Sequence, residues 1–129
     1  MPKILILQIK RFQQRRSSES ASRSGMYGSL YAQIGGTEKN NSFVNFPLEG
    51  LDMRQFVREL QDAPEPVLYD LIGVTNHFGT LNSGHYTASC KNPSTGEWHE
   101  FNDSTVSRIE SPNRVRTAAA YVLWYRARD

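Results

Sequence analysis

Apolar and polar positions divide this chain into stretches of two-residue period and one long stretch with no period. Residues 3–12 open on an unbroken apolar run, Ile4 to Leu7, which reads as a strand. A continuous run of this kind predicts a central strand covered on both faces. Residues 13–42 lose the pattern and are rich in Ser, Gly, Gln and Arg. That composition buries too little apolar surface to offset its ordering entropy, and it predicts a long mobile loop. Within it Met26, Tyr27, Leu30, Tyr31 and Ile34 fall at near-helical spacing, suited to a short helix or hairpin that docks on the body. Residues 43–46, FVNF, read as a second short strand. Asp52 is placed to cap a helix over MRQFVREL, with Phe56, Val57 and Leu60 on one face. Gln61 to Pro66 terminates it.

Alternation returns over residues 67–77, with Tyr69, Leu71, Gly73 and Thr75 facing one way and Leu68, Ile72 and Val74 the other. The Gly- and Asn-containing loop that follows leads into Gly84 and His85. Beyond it, Tyr86, Ala88 and Cys90 alternate with Thr87 and Ser89, and Glu97 to Phe101 alternates again. Between them Asn92-Pro93-Ser94-Thr95-Gly96 is turn chemistry. The two strands therefore form a hairpin that brings His85, at the start of one, near Asn102 and Asp103, at the end of the other. An imidazole beside an amide or carboxylate is the base arrangement of a cysteine or serine hydrolase. There the third group accepts the Nδ1–H and fixes the ring, so Nδ1 is expected to face Asn102 and Nε2 an open groove. Read without that chemistry, a His at a strand start is a polar rim residue. A brief strand around Val106 to Ile109, a single helical turn begun by Ser111 and Pro112, and a last strand over 119–127 complete the order. The whole predicts one α+β domain, a mostly antiparallel sheet with one or two short helices.

Composition narrows the function. The 129 residues carry 15 basic and 13 acidic side chains, so charge balance calls for neither nucleic acid nor membrane. The basic cluster Lys10, Arg11, Arg15 and Arg16 reads as a solvated strand end. No apolar run is long enough to span a bilayer and no secretory leader is visible, which makes an intracellular protein the expectation. One cysteine excludes an internal disulfide and a four-cysteine zinc site, and the three histidines have no metal spacing. No metal and no cofactor are expected. Trp98, Phe101, Tyr121, Trp124 and Tyr125 read as core packing rather than a ligand box.

Four segments, in order, carry a resemblance. PKILILQIKRF, SFVNFPLEGLDMRQFV, GHYTA with EWHEFNDSTVS, and AAAYVLWYRA are similar to the corresponding stretches of the ubiquitin-specific protease family, over residues 2–12 and 42–127. The resemblance implies the palm part of a papain-like cysteine protease fold, the whole of 1–129 being the C-terminal portion of a catalytic domain. It also implies His85 as general base, Asn102 as third triad member and Asp103 as an adjacent acid that assists. His77, Phe78, Gly79, Ser83, Gly84 and Tyr86 fall where that family lines its substrate channel, although His77 by itself reads as a loop-ordering residue. The implied partners are ubiquitin or a ubiquitinated protein, and a Cys-bearing thumb segment not found in this chain. Cys90 sits an odd number of positions after His85, which puts it on the opposite strand face as a buried structural thiol. The chain alone is thus expected to be inactive. A catalytically inactive module that holds ubiquitin or a partner is the alternative, and a convergent hydrolase the third reading, disfavoured by four segments matching in order.

Overall fold

A computed structural model describes residues 1–14 and 37–129. The strands are β1 (Ile4–Gln8), β2 (Phe12–Gln14), β3 (Thr37–Lys39), β4 (Leu51–Asp52), β5 (Leu68–Gly79), β6 (Gly84–Lys91), β7 (Trp98–Asn102), β8 (Thr105–Ile109) and β9 (Ala120–Ala127). One antiparallel sheet runs β1-β9-β5-β6-β7-β8 with β4 added on β5, and β2-β3 form a separate ribbon. The mostly antiparallel sheet is as expected. Among the described residues the helices are single 3₁₀ turns, at Met53–Gln55, Arg58–Leu60 and Pro112–Val115.

One face of the sheet carries the core. Tyr69 and Leu71 of β5 and Tyr125 of β9 have no exposed surface, and Val74, Leu123, Trp98, Val115, Phe46 and Met53 join them. The expected phase of β5 holds only for its first half. A register shift between Leu71 and Gly73 against β9 makes Ile72 a bulge. An extra residue flips every side chain after it, so Val74 rather than Thr75 continues the core row of Tyr69 and Leu71. Thr75 turns to the other face, where its hydroxyl accepts from the Trp124 indole at 3.1 Å.

Four further expectations change. The apolar run of β1 is not central: among the described residues the strand pairs with β9 alone, and Ile4, Ile6 and Leu7 are exposed. Residues 43–46 join no ladder, although Phe46 is buried and Val44 packs on the core. The helix over 53–60 breaks into two turns because Val57 is extended, at φ −120° and ψ 114°. Asp52 still caps the first turn, accepting from the Arg54 backbone N–H at 3.0 Å. Of the aromatics assigned to the core, Trp98 and Tyr125 are buried, whereas Phe101 and Trp124 lie exposed on the opposite face.

The loop expected over 13–42 is structured at both ends, where Gln13 and Gln14 pair with Glu38 and Thr37. Met26, Tyr27, Leu30, Tyr31 and Ile34 lie outside the described residues. The ribbon is held down by Arg11, which is 2% exposed rather than solvated. Its guanidinium donates twice to the Ala120 carbonyl, at 3.0 and 2.9 Å, and to the carbonyls of Asn40 and Ser42 at 3.1 and 2.5 Å. Four hydrogen bonds to three carbonyls replace the water that burial removed.

Candidate functional site

β6 and β7 pair in the register that the hairpin pattern demands, from Ala88 opposite Phe101 to Lys91 opposite Trp98. The Asn92–Gly96 turn closes on itself, with the Asn92 side chain accepting from the Ser94 and Thr95 N–H groups and Gly96 at φ +73°. At the far end of the ladder His85 reaches Asn102, with Nε2 2.7 Å from Oδ1. Oδ1 carries no hydrogen, so Nε2 donates and Nδ1 keeps the lone pair. This reverses the expected assignment of the two nitrogens. Asn102 sits across the hairpin and along it, and the distal ring nitrogen spans that gap. Nδ1, nearer the strand, is the atom free to accept a proton.

Asp103 is placed beside this pair in sequence but not in contact. It takes the first position of the two-residue β7–β8 turn with φ +50°, a left-handed conformation that Asp tolerates. Among the described residues its carboxylate makes no side-chain hydrogen bond or ion pair. It shapes the turn that follows Asn102.

The residues expected to line a substrate channel divide between two faces. Phe78 pairs with His85, and Gly79 with Gly84, at the tip of β5–β6. Phe78 is 49% exposed on the His85 side. Ser83 closes the tip by offering its carbonyl to the Thr80 N–H at 2.8 Å. Tyr86 and His77 pair with each other on the opposite face, their rings 4.8 Å apart. His77 is buried against Phe12, Tyr86 and Tyr121, and burial together with the Lys39 ammonium pushes its pKa down. Lys39 donates to the His77 carbonyl at 2.7 Å.

Cys90 lies on the face opposite His85, as alternation requires, but is exposed rather than buried. Opposite it β5 offers Gly73, whose missing side chain leaves the thiol uncovered. Partial desolvation raises its pKa, which is the wrong direction for a nucleophile.

Asn76 and Thr87 passed unnoticed in the sequence. Both are buried on the His85 side, and Asn76 Nδ2 donates to Thr87 Oγ1 at 3.3 Å. The only signal was polar residues at core-phase positions. Concavity is no guide either. A recess of about 490 Å³ lined by Pro47, Lys91, Trp98 and Arg116 lies at the other end of the sheet.

A model of the ubiquitin carboxyl-terminal hydrolase family matches residues 1–125. Ubiquitin carboxyl-terminal hydrolase 2 of Bos taurus is 47% identical over 124 residues, which are 96% of this chain and 17% of that protein. Ubiquitin carboxyl-terminal hydrolase 4 of Pongo abelii is 40% identical over 129 residues, all of this chain and 11% of that protein. Among solved structures, the SAGA Ubp8/Sgf11/Sus1/Sgf73 DUB module bound to ubiquitin aldehyde superposes with a TM-score of 0.75 at 33% identity, covering 100% of this chain and 25% of the matched chain. The chain therefore spans about a sixth or less of the length of these curated relatives.

Proposed function

This chain belongs to the ubiquitin carboxyl-terminal hydrolase family, its sheet being the palm of a papain-like fold, and we propose that it supplies the base of a cysteine-type deubiquitinase. His85 takes the thiol proton at Nδ1, Asn102 holds the ring through Nε2, and the thiolate attacks the carbonyl at the ubiquitin C-terminus. The protonated imidazole then returns the proton to the leaving amine. The thiol comes from residues outside these 129, because Cys90 faces away. The tip of β5–β6, with Phe78, Gly79, Ser83 and Gly84, borders the channel for the extended ubiquitin tail. A neutral Asn102 orients the imidazole without adding a charge to stabilise its protonated form.

The observation that carries this reading is the 2.7 Å contact between His85 and Asn102, which leaves Nδ1 uncommitted. Turnover of a fluorogenic ubiquitin C-terminal substrate tests it. The chain alone is expected to be inactive, with or without Cys90→Ser. Complemented with the cysteine-bearing part of a relative it should turn over. There His85→Ala should lower kcat by about 10²–10⁴-fold, and Asn102→Ala by less. Cysteine-dependent turnover by the isolated chain, or full activity of His85→Ala after complementation, would overturn the assignment.

A further inference from the structure

His77 is the residue whose chemistry the proposed mechanism leaves unexplained. It is 4% exposed, and its buried Nδ1 has no hydrogen-bond partner among the described residues. A buried polar atom left unpaired costs stability, so its retention calls for a reason. Three rings enclose the imidazole: Phe12 at 5.5 Å, Tyr86 at 4.8 Å and Tyr121 at 5.7 Å between centroids. Its backbone is tied at both ends. The His77 N–H donates to the Ala119 carbonyl at 2.9 Å, and its carbonyl accepts from Lys39 Nζ at 2.7 Å. The ring is thus a fixed wall.

Gly84 lies directly against that wall. A β-carbon on Gly84 would collide with His77 Nε2 and would sit 2.9 Å from Cε1 and 2.7 Å from the Phe78 carbonyl. Neither the enclosed ring nor the β5 backbone can give way. Gly84 is also the residue immediately before His85. Its contact with the ring therefore fixes the direction in which the chain delivers His85 toward Asn102. A small side chain at position 77 would leave Gly84 without that support.

We propose that His77 is a positioning residue, whose ring braces the Gly84 backbone so that His85 starts β6 aimed at Asn102. The inference rests on His85 as the base. Its test reads the His85 ring itself, so it stands or fails independently of turnover.

Long-range proton–nitrogen NMR on the 129-residue chain reports the His85 tautomer. Wild type should show one dominant form, protonated at Nε2. Gly84→Ala should produce comparable populations of both tautomers. His77→Ala should do the same by removing the support. Gly84→Ala combined with His77→Ala should recover the Nε2–H form relative to Gly84→Ala alone, because the added methyl then fills the space the ring vacated. Leu71→Ala, which weakens the distant core, should leave the His85 signal unchanged, which separates positioning from general destabilisation. In a complemented enzyme, His77→Ala should lower kcat by about 10- to 100-fold with KM unchanged. A wild-type His85 tautomer in His77→Ala overturns the proposal, as does a double variant no better than Gly84→Ala. If Gly84→Ala does not fold, His77→Ala alone decides.

Discussion

At the lower end of β5, Tyr69 and Leu71 have no exposed surface and stand across from Ala127 and Tyr125 of β9. At the upper end of the same strand, Asn76 and His77 are nearly as deeply buried, at 3% and 4% exposure, yet leave Oδ1 and Nδ1 without partners among the described residues. The lower end satisfies its polar atoms: the Tyr69 hydroxyl donates to the Pro2 carbonyl and the Tyr125 hydroxyl to that of Pro47. Burial pushes the Tyr125 phenol up to about 12, so it stays a donor throughout the neutral range. Equal burial therefore has opposite consequences. Apolar packing with satisfied hydroxyls stabilises the sheet, while unpaired polar atoms cost stability at the end where His85 and Asn102 meet. The packed end offsets the cost of those open polar groups.

The comparison is sharpened first by removing core volume. Leu71→Ala should lower unfolding free energy by about 2–5 kcal/mol in denaturant titrations, while the His85–Asn102 contact survives. A smaller loss, near zero, would show that the lower end is not the source of stability.

Arg11→Met attacks the clamp between the ends. It leaves three backbone carbonyls, those of Ala120, Asn40 and Ser42, without their donor. The expected cost is about 1–3 kcal/mol, with faster amide exchange in β2 and β3 than in β7. Unchanged exchange would mean the ribbon is held by Phe12 and Lys39 alone.

Acid titration tests the upper end. His77 has a pKa depressed below its ordinary 6.5, by burial first and by Lys39 second. The unfolded chain then binds a proton that the folded chain refuses, so stability falls as pH drops from about 6.5 toward the depressed value. His77→Phe should remove that part of the pH dependence, even if it lowers stability overall. An identical slope in the variant would assign the acid sensitivity elsewhere.

The smallest effect belongs to the surface. Arg128 pairs with Asp70 at 2.7 Å, and the carboxyl is held below its usual range by that contact. Both side chains are partly exposed, so Asp70→Asn should cost under about 1 kcal/mol, and less in high salt.

The sequence by itself determined the hairpin and therefore the pairing of His85 with Asn102. Alternation, the Asn92–Gly96 turn and strand length are local properties, and a tight turn admits few registers. For the same reason it placed Cys90 on the face away from His85. What it left open was every question about which neighbour covers a face. The apolar run of β1 looked the same whether central or at an edge, and only the pairing with β9, its one partner among the described residues, decided for the edge. Arg11 read as solvated because its three carbonyl acceptors come from residues 40, 42 and 120, remote in the chain. The bulge at Ile72 depends on the register against β9, which no local pattern encodes, and it rotates Asn76 and His77 into their buried positions. Which imidazole nitrogen meets Asn102 was likewise settled by the offset between strands. Periodicity fixes which residues share a side; only long-range packing fixes what that side meets.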